Sequence, residues 1–160
     1  MKNINSKIEI EKRNEIFLKE ILNLSLEEYL KKLASAGKPK GYADNIWNEK
    51  NPTAGRCGSV IGALRLSNKI PENYIPCGQN EPNGGSHFYL INKLTNEVID
   101  PTSYQMNKEY NYENYHTKFL PQISKNVEDT LKALELNIDE TKFKVTKDKR
   151  GVKLAIKLKK

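Results

Sequence analysis

An α+β fold is predicted by three patterns: helical spacing of apolar residues between Ile8 and Ala36, an apolar stripe directly after Cys57, and alternating stretches around residues 86–100 and 143–158. In the first region Ile16, Phe17, Ile21, Leu22, Leu24, Leu26, Tyr29, Leu30 and Leu33 recur nearer to helical spacing than to strict alternation, so two helices are expected. Ser25 followed three residues later by Glu28 has the form of a capping box, and it places the second helix from Ser25 into Ala36 with Gly37 as its stop. Pro39, Gly41, Asn51 and Pro52 then mark residues 37–55 as a loop.

Beyond the loop, Val60, Ile61, Ala63, Leu64 and Leu66 predict a short, largely buried helix with Cys57 in its first turn. Pro71, Pro76, Gly78, Pro82, Gly84 and Gly85 punctuate the next stretch, leaving room for a short strand from Tyr74 to Cys77. Ser86–Asn92 and Glu97–Asp100 read as a hairpin turning over Lys93–Asn96. The tyrosine- and asparagine-rich segment from Tyr104 to Tyr115 has no period and reads as a loop or a frayed helix. Val127, Leu131, Leu134 and Leu136 supply the apolar side of a helix over Ile123–Leu136. Finally Phe143, Val145, Val152, Leu154, Ile156 and Leu158 alternate with polar residues about a turn near Asp148–Gly151, which predicts a hairpin with one face on the core and one in water.

Composition sets the bounds. With 160 residues, 37% hydrophobic and 29% charged, the chain can bury one compact core but hardly two. A single domain over 1–160 is expected, made of N-terminal helices (1–40), a catalytic core (41–105), and a helix with a basic terminal hairpin (106–160). No run approaches the roughly 18 consecutive apolar residues of a membrane helix, and Met1 to Asn5 lack the apolar core of a signal peptide, so a cytoplasmic protein without membrane association is expected. The two cysteines, Cys57 and Cys77, are too few for a disulfide framework, which leaves either thiol free for chemistry. A net charge of +7, concentrated in lysines after Lys142, favours acidic partners; solvated lysine faces explain it more simply than a nucleic-acid surface.

The chemistry centres on Cys57, His87 and Asp100. A helix start presents unpaired amides and the positive end of the helix dipole, a setting that favours a thiolate and can hold an oxyanion. A cysteine that merely packs would satisfy the local run equally. With an even-numbered hairpin loop, His87 and Asp100 project from one face as direct or diagonal neighbours, and Asp100 would fix the tautomer that turns the other ring nitrogen to the thiol. Singly, the His reads as an ordinary polar residue and the Asp as a turn residue before Pro101. The three types together, in that order and on those elements, are harder to dismiss.

Trp47, Asn51-Pro52, Gly55-Arg56-Cys57, Gly85-Ser86-His87-Phe88-Tyr89, Asn92 and Ile99-Asp100-Pro101-Thr102-Ser103-Tyr104-Gln105 resemble the YunG-like family of small bacterial proteins, and more distantly the transglutaminase-like and papain-like superfamily. The resemblance covers residues 47–105. It implies a Cys57-His87-Asp100 triad, with the nucleophile helix packed on an antiparallel sheet. Trp47 and the loop from Cys77 to Gly85 become the candidate substrate contacts, since Trp47 precedes the nucleophile and Gly85 leads into His87. The family pattern has glutamine before the cysteine, where this chain has Arg56, so an oxyanion role for that glutamine does not carry over.

The expected chemistry is attack of Cys57 on an amide of a protein or peptide, with no metal and no organic cofactor; peptidase, deamidase and acyltransferase share these residues and differ in what attacks the thioester. Cys57, Cys77, His87 and His116 could form a zinc site, but they lack the close spacing of zinc ribbons and fingers. A Cys57 to Cys77 disulfide would silence the enzyme. The rival class is a binding protein with a vestigial triad, using lysines 142–160 and Tyr104, Tyr110, Tyr112 and Tyr115 on nucleic acid or an acidic protein.

Overall fold

A computed structural model describes residues 3–40, 47–81, 85–106, 109–119 and 121–158. The loop markers Gly41, Pro82 and Gly84 and the terminal Lys159 and Lys160 lie outside these residues. The fold is α+β with antiparallel sheets. Helices α1 (Lys7–Ile21) and α2 (Leu26–Ser35) precede α3 (Cys57–Leu66); strands β1 (Tyr74–Asn80), β2 (Ser86–Asn92) and β3 (Val98–Ile99) follow; then come α4 (Lys125–Ala133) and strands β4 (Phe143–Lys147) and β5 (Lys153–Lys157). Among the described residues no helix is long and apolar enough to cross a membrane.

The helix starts follow from capping chemistry. Ser6 and Ser124 each accept a bond from the third residue on, and Ser25 and Glu28 form the full reciprocal capping box. Along α1 the buried positions are Ile10, Asn14, Phe17 and Leu18, while Ile16, expected on the apolar side, is 56% exposed. α1 therefore turns a stripe containing one asparagine inward.

The sheet runs β1-β2-β3, all antiparallel, with β2 central. β1 extends three residues beyond the expected Cys77. Pro76, which lacks a donor, accepts from the Thr117 amide at 3.1 Å, and Gly78 leaves space for the Phe88 ring, which a Cβ there would meet at 2.6 Å. β3 is only two residues long, shorter than the expected Glu97–Asp100. Leu90 faces Ile99 and Ile91 faces Val98, and the Asn92 amide bonds the Glu97 carbonyl at 2.8 Å, so the turn holds the four residues 93–96.

Leu90 and Ile99 join Val60, Ile61 and Leu64 of α3 with Phe17, Leu18, Tyr29 and Leu33 in the main core. Cys77, Tyr89, Ile91 and Val98 form a second cluster with Ile10, against which Tyr110 and Tyr112 pack. Among the described residues the segment carrying these tyrosines is irregular apart from a 3-10 turn at Ser103–Gln105, and its later part bonds to β1 through the Tyr115 carbonyl and the Gly78 amide at 2.9 Å.

The C-terminal hairpin is a separate two-stranded sheet rather than part of the main one. Its expected single apolar face is overturned by register. Lys147 pairs with Lys153, which leaves five residues in the connection and sets odd-numbered residues opposite odd-numbered ones. Phe143 and Val145 therefore share a face with Ala155, while Leu154 and Ile156 point the other way. Only Phe143 and Ala155 are buried on the strands, against Leu66 and Ile123, and Val145 and Ile156 remain exposed.

Candidate active site

Cys57 opens α3. Gly55, at φ +73°, turns the chain into the helix, and its amide bonds the Gln105 side-chain oxygen at 3.3 Å. Arg56 occupies the N-cap without a side-chain cap bond, so the first-turn amides of Cys57, Gly58 and Ser59 have no partner within the helix. The Cys57 Sγ lies 3.5 Å from the Ser86 carbonyl oxygen, where the helix start meets the first residue of β2. The next residue on that strand is His87.

His87 Nε2 and Asp100 Oδ2 are 2.7 Å apart, and both residues are buried. Asp100 directly follows β3, opposite Tyr89 in the continued register, which makes it a diagonal neighbour of His87 on the same face; the four-residue turn supplies the necessary parity. With Nε2 committed to Asp100, Nδ1 is the nitrogen left for Cys57. Burial of His87 works against its charge, but the field and hydrogen bond of Asp100, joined by those of Cys57, outweigh it and raise the imidazole from its ordinary 6.5 to about 10.

Asp100 is held on every side. Its Oδ2 also accepts from the Tyr112 hydroxyl at 2.7 Å, and its Oδ1 accepts from the Thr102 amide at 3.2 Å. The buried Asn14 side chain bonds both its backbone amide and its carbonyl. Gln105 links this turn to the start of α3, donating to Thr102 Oγ1 at 3.3 Å while accepting from Gly55. Of these residues, Thr102 and Gln105 are named from the sequence only within the family resemblance and Tyr112 only as a candidate for base stacking, and Asn14 is not named as a site residue at all. Asn14 carried a signal, being a polar residue at apolar helical spacing; Tyr112 lay in a segment without period.

Tyrosine rings enclose the imidazole. The Tyr110 ring meets that of His87 edge-on at 5.0 Å between centroids, Tyr89 lies at 5.7 Å and Tyr112 at 6.5 Å. Tyr110 is tied in turn to Glu81 by a 2.7 Å hydrogen bond. Two of the tyrosines considered for base stacking are thus packed around His87, whereas Tyr115 stays exposed.

Beside this centre a groove of about 820 Å³ is lined by Gly78, Gln79, Glu81, Ser86, Phe88 and Tyr110, with further residues from the segment after Tyr110. The Phe88 ring also flanks Gly58, one residue after the cysteine. Of the expected substrate contacts, the stretch from Gly78 to Glu81 lines the groove, and Trp47 and Gly85 do not. Trp47 Nε1 donates to the Pro52 carbonyl at 3.3 Å, and Gly85, at φ +78°, closes the connection into β2 by accepting from the Glu81 amide at 3.1 Å.

Arg56 turns inward: its guanidinium donates to the Gly37 carbonyl and reaches Thr130 Oγ1 at 3.5 Å. Cys77 is a free thiol on the tyrosine side of the sheet, pushed up to about 11 by burial, and Cys57 is likewise free. No group of three or more candidate metal-binding His, Cys, Asp or Glu residues occurs among the described residues. Compared with models of known families, with curated proteins and with solved structures, the chain matches none.

Proposed function

We propose that this chain is a cysteine-dependent amide hydrolase or acyltransferase with a papain- or transglutaminase-like arrangement, Cys57 serving as nucleophile, His87 as acid and base, and Asp100 as the residue that orients His87. The observation that carries this reading is the buried 2.7 Å bond from His87 Nε2 to Asp100, which leaves the opposite ring nitrogen for the cysteine at a helix start. A structural histidine would be satisfied by one carboxylate. It would not need a thiol on its other side.

In the proposed reaction the Cys57 thiolate attacks the carbonyl carbon of a peptide, isopeptide or glutamine amide, forming a carbon–sulfur bond and placing negative charge on the oxygen. The first-turn amides of α3 lie where that charge can be stabilised. Collapse breaks the carbon–nitrogen bond, and His87 gives its proton to the departing amine or ammonia. The thioester is then cleaved by water, His87 taking the water's proton while the sulfur leaves, or by a second amine, which gives transfer. The groove beside Ser86 and Phe88 is the approach for an extended substrate.

The test is incubation with a mixed peptide pool in heavy-oxygen water, with and without a small primary amine. Mass spectrometry follows label entering carboxyl groups, amine entering products, and acyl adducts on the protein. The reading requires at least one of these changes, absent in both Cys57→Ala and His87→Ala when circular dichroism shows each variant folded. Turnover that persists in Cys57→Ala, or none in the wild type across the pool, contradicts it.

A further inference from the structure

Tyr112 is placed to act on the reaction through Asp100. Its hydroxyl donates to Asp100 Oδ2 at 2.7 Å, and that same oxygen bonds His87 Nε2 at 2.7 Å. One carboxylate oxygen therefore divides its electron density between a phenol and the imidazole. Burial first, and then the Asp100 charge and hydrogen bond, drive the Tyr112 phenol far above its ordinary range, so it stays protonated and keeps donating at every pH where the site works.

We propose that Tyr112 is a positioning residue, whose hydroxyl orients the Asp100 carboxylate and tempers its pull on the imidazole proton. The significance for catalysis rests on the function proposed above; the electrostatic claim does not. An acceptor oxygen with a second donor is a weaker base toward the first, so losing the phenol hydroxyl leaves His87 more firmly protonated. A base that releases its proton less readily is also a poorer proton donor to the leaving amine.

The other titratable groups around the pair do not substitute for this contact. Tyr89 and Tyr110 face the imidazole with their rings, and the Tyr110 hydroxyl is committed to Glu81. Cys57 approaches from α3, and Cys77, diagonal to His87 on β1, is held as a neutral thiol by burial. Tyr29 and Tyr104 feel the Asp100 charge, but Tyr29 donates instead to the Pro101 carbonyl at 2.8 Å. The Tyr112 ring meets Tyr110 at 4.7 Å and Tyr89 at 4.9 Å, both edge-on, and phenylalanine preserves this packing while deleting the hydroxyl alone.

The chain has two histidines, so imidazole resonances can be followed by NMR against pH, with the exposed His116 as internal control. In Tyr112→Phe the His87 midpoint rises by roughly half a pH unit, the size expected for one modest hydrogen bond. His116 does not move, and neither midpoint moves in Tyr110→Phe. Should Tyr112→Phe fail to fold, fluorotyrosine at position 112, a stronger donor, lowers the His87 midpoint instead. A His87 midpoint that is unchanged or displaced the opposite way, or that moves equally in Tyr110→Phe, overturns the proposal. A shifted midpoint in a protein with no acyl chemistry keeps the positioning role and removes the enzyme; acyl chemistry with an unmoved midpoint does the reverse.

Discussion

Asn14 grips both backbone polar groups of Asp100: its Oδ1 accepts from the Asp100 amide at 2.9 Å, and its Nδ2 donates to the Asp100 carbonyl at 2.7 Å. The side chain thus completes what the sheet does not, because β3 ends at Ile99 and has no further ladder bonds to offer the next residue. α1 is consequently part of how the candidate site is held.

Replacing Asn14 by alanine strands the buried Asp100 amide, while the Asp100 carbonyl keeps the Ser103 amide at 3.0 Å. The expected loss of stability is roughly 1–3 kcal/mol, the cost of one unsatisfied buried group. Urea unfolding followed by circular dichroism measures it, and a loss below about 0.5 kcal/mol, the usual range for surface substitutions, would show that water or a local shift replaces the clamp.

The raised imidazole has a consequence for stability against pH. Below its unfolded value of 6.5 the ring is protonated in both states and the Asp100 contact contributes in full. Between 6.5 and about 10 the unfolded chain has released that proton while the folded chain keeps it, so the contribution declines as pH rises. The difference in unfolding free energy between wild type and His87→Gln is therefore expected to shrink across this interval. A difference that grows with pH would mean that His87 is neutral in the folded protein.

The register of the C-terminal hairpin makes two adjacent residues behave oppositely. Ala155 sits against Leu66, Ile123 and Phe143, whereas Ile156 is on the other face. Ala155→Lys is expected to cost more than about 2 kcal/mol by burying a charge, and Ile156→Lys to stay within about 0.5. Thermal unfolding of the two variants separates them, and the reverse order would mean the strands pair one residue out of step.

The same parity decides what is legible in the sequence alone. For the hairpin at 86–99, the expected turn over Lys93–Asn96 is the one observed, and an even turn keeps His87 and Asp100 on one face, so their meeting was legible. For the C-terminal hairpin the alternation of each strand was legible but its five-residue connection was not, and an odd connection sends the two apolar sets to opposite faces. β1 ran past Cys77 because Pro76 and Gly78, ordinarily strand breakers, are used at positions where a missing donor and a missing side chain are tolerated. The capping box at Ser25 needed no tertiary information, being a contact between residues three apart. Tyr112 needed all of it, because its partner is reached only after the segment has folded back over the sheet.

Whether His87 activates Cys57 is decided by the rate at which iodoacetamide alkylates each cysteine near pH 7, read by mass spectrometry in wild type and His87→Ala. Cys77, pushed up to about 11 by burial, is the internal reference. The account predicts that Cys57 reacts at least about 10-fold faster than Cys77 and that His87→Ala slows it to the rate of an ordinary thiol. A Cys57 that is inert, or that reacts equally well without His87, would contradict it.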